Sequence, residues 1–227
     1  PGKYWSAPEN LHWVQASLEL LRDFVRAGGQ RVVMAGTCAE YDWDYGYCSE
    51  FTTPLHPRTL YGTSKHALQQ LVEAFAREVG VSVAWGRIFF LYGPYEHPGR
   101  LVSSVIRALL NEEPAMCSHG NQIRDFLYVK DVADAFVALL GKDVSGAVNI
   151  ASGYPLSIRD LVYKIATRLG REELIRLGAL PTVPNDPPLL VADVRRLKEE
   201  VGWQPHYEIE AGIEESIAWW KTRLSIL

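Results

Sequence analysis

The run RVVMAGT at positions 31–37 limits most sharply what this chain can fold into. It is apolar from Val32 to Gly36, with no polar residue at the alternate positions where a half-exposed strand would show one. Such a strand needs cover on both faces, which is the situation of a parallel sheet packed between helices. Upstream, Leu11, Val14, Leu18, Leu21 and Val25 recur at intervals of three and four, so they predict one buried helical face. Ser6-Ala7-Pro8-Glu9 reads as a capping box that opens this helix, which runs to about Arg26 and stops at Gly28-Gly29. Two further apolar runs, VSVAWGRIFFL at 81–91 and GAVNIA at 146–151, predict more buried strands, and helices alternate with them.

The same run ends in a hydroxyl, Thr37, and the next helical pattern, from about Arg58 to Val79, opens with Tyr61-x-x-x-Lys65. Positions i and i+4 share a helix face, so Lys65 stands beside the Tyr61 phenol. A cation there favours the phenolate and moves a pKa of roughly 10 toward neutrality, as a general acid/base requires. Thr37 is placed to hold a substrate oxygen while Tyr61 exchanges a proton with it. A hydroxyl, a phenol and an ammonium in this arrangement suit proton and hydride chemistry at a carbonyl or carbinol carbon.

Five segments in order, GTCAEY, YGTSK, GRIFFLYGP, RDFLYVKDVADA and NIASGYPLSIRDL, resemble the extended short-chain dehydrogenase/reductase family of nucleotide-sugar epimerases and dehydratases. The resemblance covers nearly the whole chain. It implies an α/β fold: a partial Rossmann-like parallel sheet with flanking helices, plus a smaller C-terminal α/β region. Residues 1–93 with 126–151 would be the remainder of an NAD(P)-binding domain, and 94–125 with 152–227 the substrate-binding region. Thr37, Tyr61 and Lys65 are then expected to be catalytic. Ala35, Gly36, Tyr61, Lys65 and Phe89 would meet NAD or NADP, and Thr37, Phe90, Arg100 and Arg124 the nucleotide sugar. Arg100 precedes a helix start, and Arg124 in Arg-Asp-Phe carries a guanidinium fork suited to a diphosphate. A structural ion pair of Arg124 with Asp125 or Asp131 is the competing expectation. Pairing of the helices near 7–27 and 58–79 with a second copy is the expected dimer contact.

The chain departs from this family in four places. No G-x-x-G-x-x-G or G-x-G-x-x-G precedes Tyr61, although the family binds the cofactor pyrophosphate there. The expectation is a chain that starts near the fourth helix of the fold, through truncation; an intrinsically short protein is the second reading. Phe90 stands where the family usually has Asn, and Val183-Pro184-Asn185 where a second phosphate-binding Arg is common. Cys38 and Ala39 occupy the positions of the acidic pair of the 4,6-dehydratases, and Glu40 comes one residue late, which on a strand would turn it to the other face. Dehydration is therefore disfavoured against epimerisation or keto-sugar reduction. A non-catalytic descendant acting as a binding or sensor module, and an interaction scaffold, are the readings from other classes.

A net charge of −4 without a long basic run makes nucleic acid an unexpected partner. Three scattered cysteines form no disulfide framework, and no His, Cys or carboxylate grouping has metal-ligand spacing. No apolar run approaches the roughly 20 residues that span a bilayer, so a soluble cytoplasmic enzyme is expected. In the aromatic stretch 40–57, Trp43 and its neighbours read as loop anchors or as stacking surfaces for substrate.

Overall fold

The computed structural model describes residues 3–225. Its elements in order are α1 (Glu9–Arg26), β1 (Arg31–Thr37), β2 (Tyr47–Cys48), α2 (Leu60–Val79), β3 (Ser82–Ile88), β4 (Phe90–Tyr92) and α3 (Leu101–Leu110). There follow β5 (Ala115–Met116), β6 (Ile123–Tyr128), α4 (Val129–Leu140), β7 (Gly146–Ile150), β8 (Pro155–Ser157), α5 (Ile158–Leu169), β9 (Ile175–Arg176), β10 (Leu189–Ala192) and α6 (Ile209–Leu224). The class is α/β, with parallel strands flanked by helices.

Two sheets organise the molecule. The first is parallel, in the order β1-β3-β7, and runs from Arg31 opposite Ser82 to Thr37 opposite Ile88. One face packs under α1 and α2 through Leu21, Leu68, Val72 and Trp85, and the other under α4 through Val132, Ala135 and Leu139. The second sheet has the order β2-β10-β6-β4, with β8 antiparallel to β6. It packs α3, α5 and α6 against it through Ile106, Ile165, Ile217 and Trp220.

The apolar run 81–91 is two strands. β3 ends at Ile88, Phe89 donates its amide to the Ile150 carbonyl at 3.2 Å, and β4 pairs with β6 in the other sheet. At Phe89 the chain thus crosses from one sheet to the other. Asp125 holds the same joint: its buried carboxylate accepts from Ser152 N and Oγ, Gly153 N and, at 3.3 Å, Ala192 N. Burial raises its pKa while those donors oppose the rise.

Several local expectations are corrected. Ser6 makes no cap; α1 begins after Pro8 without a side-chain cap, and Asn10 instead ties the preceding turn by donating to the Tyr4 and Ala7 carbonyls at 2.7 and 2.9 Å. Of the five apolar residues of α1 only Leu21 is buried, and Leu11 is exposed, because only α2 and the rim of the sheet lie against it. On α2, Leu71 faces solvent while Leu68 and Val72 are buried. Asp131 lies in the first turn of α4 and accepts the amides of His206 and Tyr207. β5 pairs with β9. Arg196–Glu200 forms one wide helical turn, with the Asp193 carboxylate accepting from Arg195 N.

Candidate active site

β1 delivers Thr37 to the end of the first sheet, where the chain turns sharply through Cys38, Ala39 and Glu40. The turn is a reciprocal cap: Ala39 N donates to Thr37 Oγ1 at 3.2 Å, and Thr37 N donates to Glu40 Oε1 at 2.8 Å. Glu40 is therefore not on the opposite strand face, as a simple register argument expects; the strand has ended, and the carboxylate folds back into the core. There Trp85 Nε1 donates to it at 3.0 Å and Arg87 Nε at 2.8 Å. Arg87 completes its fork with the Tyr41 hydroxyl and Gln69 Oε1, at 3.0 and 2.7 Å. A Cβ on Gly36 would come within 2.1 Å of the Trp85 indole nitrogen, so only glycine lets this network close under Thr37.

α2 brings Tyr61 to the same corner. Thr59 caps it by accepting from Gly62 N, and a Cβ on Gly62 would meet the Ala39 carbonyl at 2.4 Å. The helix start is thus pressed onto the 38–40 turn. Tyr61 is half-buried; burial is the main cause that raises its pKa, and Thr37, facing the phenol, is the cause that lowers it. This differs from the expected lowering by Lys65. The Lys65 ammonium is turned to the Ala35 carbonyl, to which it donates at 2.9 Å, and burial lowers its own pKa. The rings responsible for much of the crowding were not legible in the sequence: Tyr4 and Trp5 stand edge-on to Tyr61, at 5.2 and 5.6 Å between centroids.

A cavity of about 550 Å³ opens at the junction of the sheets. Gly36, Thr37, Tyr61, Phe89, Phe90, Arg100 and Arg124 all line it. Seven of the expected residues therefore share one space. Lys65 lines an adjoining cavity of about 320 Å³ with Tyr61, Tyr4, Asn10 and Ser64, and Ala35 is exposed beside it. Arg124 is buried. It pairs with Asp186 at 2.7 Å, a partner that neither competing expectation named, and its guanidinium lies 5.5 Å from the Phe90 ring centre. Asp125 and Asp131 are occupied by backbone amides instead. Arg100 is exposed at the N-terminus of α3 and lies against the Tyr4 hydroxyl. Val183, Pro184 and Asn185 also line the cavity, so the segment lacking the second Arg does reach the site. Trp43 lines it as well, anchored by its indole nitrogen on the Cys38 carbonyl at 2.8 Å. Among the described residues no three His, Cys, Asp or Glu come together as metal ligands.

With this geometry in view, comparison with known proteins decides the family. Residues 1–151 match the NAD dependent epimerase/dehydratase family. The chain belongs to that family. It is 30% identical over 204 residues to UDP-glucuronic acid decarboxylase 1 of Xenopus tropicalis, covering 86% of this chain and 48% of that protein. Over 230 residues it is 30% identical to the dTDP-glucose 4,6-dehydratase of Xanthomonas campestris pv. campestris, covering 94% of this chain and 66% of that enzyme. The chain thus spans about half to two thirds of the length of these relatives. Among solved structures, MoeE5 in complex with UDP-glucuronic acid and NAD is 32% identical with a TM-score of 0.78, covering 91% of this chain and 69% of that one. The UDP-N-acetylglucosamine 4-epimerase of Methanobrevibacter ruminantium M1 has a TM-score of 0.86 at 23% identity over 92% of this chain and 68% of that one, which shows the same fold.

The fit of NAD to this epimerase/dehydratase chain divides in two. The buried Ser64 hydroxyl has no hydrogen-bond partner, and it lines the same cavity as Lys65 and Asn10. A ribose diol carries the donors and acceptors that such a group lacks. The nicotinamide end therefore fits the residues present, whereas no glycine-rich turn in this sequence offers the pyrophosphate a cradle.

Proposed function

We propose that this chain carries the catalytic and substrate-binding part of an NAD-dependent enzyme acting on a nucleotide-activated sugar, as an epimerase or keto-sugar reductase. The observation that carries the reading is the convergence of Thr37, Tyr61, Phe89, Phe90, Arg100 and Arg124 on one cavity, with Lys65 behind Tyr61. Relatives named for UDP- and dTDP-sugars support the substrate class, and neighbours solved with NAD support the cofactor.

In this reading Arg124 and Arg100 receive the diphosphate, which places the sugar ring toward Thr37 and Tyr61. Thr37 Oγ1, fixed by the turn at 38–40, holds the reacting oxygen. Tyr61 gives its proton to that oxygen, or takes it, as the carbon is reduced or oxidised. Its raised pKa keeps the phenol protonated at neutral pH, which suits the donating direction. Lys65, Ser64 and Asn10 would hold the ribose, and Lys65 supplies positive charge behind the phenol. The chemistry a bound NAD would supply is reversible hydride transfer. Dehydration is disfavoured because Cys38 and Ala39 are buried in the turn and Glu40 is held by Arg87 and Trp85. Residues 1–93 with 126–151 would serve the cofactor and 94–125 with 152–227 the substrate.

No helix among the described residues is long and apolar enough to cross a membrane. The exposed Leu11, Trp13 and Leu20 of α1 and Leu71 of α2 support a homodimer through these two helices. A nucleotide sugar deuterated at the reacting carbon separates the reactions. Label retained in an epimerised sugar indicates an epimerase, and label in released cofactor a reductase; no transfer with UDP- or dTDP-sugars would remove this reading.

A further inference from the structure

The turn at Lys3–Trp5 lies over Tyr61 rather than trailing away from the helix it precedes. Asn10 pins its backbone through the Tyr4 and Ala7 carbonyls. The two rings then meet Tyr61 at nearly right angles, 89° for Tyr4 and 83° for Trp5. Trp5 also meets Trp43, another residue of the cavity wall, at 6.0 Å and 86°. Tyr4 lines both cavities and so forms, with Tyr61, the partition between them.

We propose that Tyr4 and Trp5, whose ring centres are 4.6 Å apart, are positioning residues for the reaction, together covering one side of the Tyr61 ring so that its phenol is held against Thr37 and shielded from water. Edge-to-face contact with two adjacent rings restricts the ring plane and leaves the hydroxyl at the edge. A proton-transfer group gains from such fixing because displacement by about 1 Å can cost of order 100-fold in rate. The inference rests on Tyr61 being the acid/base of the preceding reading.

The groups facing Tyr61 come from four elements: Thr37 from β1, Cys38 and Glu40 from the turn after it, Tyr4 from the 3–5 turn, and Lys65 from its own helix. Arg100, from the start of α3, reaches Tyr4 rather than Tyr61. Burial is the largest influence on the phenol, so taking away the covering rings hydrates it and its titration falls toward that of an ordinary tyrosine.

The test is a pH titration of Tyr61 by NMR on ring-labelled tyrosine, with the signal identified by its loss in Tyr61→Phe. In Tyr4→Ala and Trp5→Ala the Tyr61 titration should move down and kcat should fall by about tenfold, while Tyr4→Phe, which keeps the ring, leaves the titration high. If an alanine variant fails to fold, Tyr4→Leu and Trp5→Leu remove the ring edge and keep the bulk, and they are read the same way. An unmoved Tyr61 titration in folded variants overturns the role proposed for the two rings and leaves the proposed chemistry standing. Activity surviving in Tyr61→Phe removes the proposed chemistry and leaves the titration result intact.

Discussion

Arg87 and Arg124 are both almost wholly buried and both paired with a carboxylate, yet they belong to different kinds of structure. Arg87 sits on a central strand, its three nitrogens are all satisfied, and its partner Glu40 is fully buried. Arg124 lies on the wall of the large cavity, and its partner Asp186 is on a proline-rich loop with a quarter of its side chain exposed. The first pair is closed: nothing can replace Glu40 without dismantling the turn that holds Thr37. The second is open: in the proposed reading an incoming phosphate takes the place of Asp186 on the same guanidinium. Access of the partner, not burial of the arginine, separates scaffold from site.

The comparison can be broken most readily at the closed pair. Glu40→Ala leaves Arg87 charged in the core and should cost about 3–5 kcal/mol in urea unfolding. A loss below about 1 kcal/mol would show that this pair is no more closed than the other. Replacing both partners, Arg87→Met with Glu40→Leu, should cost less than the single change, since no charge is then stranded.

At the open pair, Arg124→Leu should weaken binding of a nucleoside diphosphate by about 10- to 100-fold, the worth of one charge-assisted fork. Calorimetry reads this directly. Asp186→Asn should act in the opposite sense, and pyrophosphate is expected to bind about two- to tenfold tighter because the internal competitor is gone. If that variant weakens pyrophosphate binding, Asp186 helps to build the anion site instead of competing with the anion.

The smallest expected effect concerns His66, next to the closed pair. Burial, and to a lesser degree Arg87, lowers its pKa, so the unfolded chain takes up a proton more readily than the folded one. Its contribution to stability is therefore full above the ordinary value of about 6.5 and is lost as pH falls through that value toward the folded pKa. His66→Gln should flatten the fall of melting temperature on the acid side; an unchanged slope would show that His66 does not contribute to it.

In both regions the local backbone pattern was legible in sequence and the pairing was not. The continuous apolar run of β1, its terminal Thr37 and the i,i+4 pair Tyr61 and Lys65 are local patterns, and local patterns fix strand ends and helix faces. What remained hidden depends on contacts between distant residues. Arg87 in the middle of an apolar run gave no sign of its pairing with Glu40, 47 residues away. Tyr4 and Trp5 lie in a short segment without periodicity, so nothing local marks them as covering Tyr61. Arg124 was found through the family motif, but its partner Asp186 is 62 residues on, in a loop whose path no periodicity reports. The split of 81–91 at Phe89 escaped for the same reason, since an apolar run looks alike whether it stays in one sheet or crosses to another.

The most direct measurement is the single-turnover rate of hydride transfer between NAD and a nucleotide sugar, compared for the protein and for Tyr61→Phe. The account predicts a loss of at least about 100-fold with the melting temperature unchanged. An equal rate in the two proteins would contradict it, because the site would then be carrying out its chemistry without the phenol around which Thr37, Tyr4 and Trp5 are arranged.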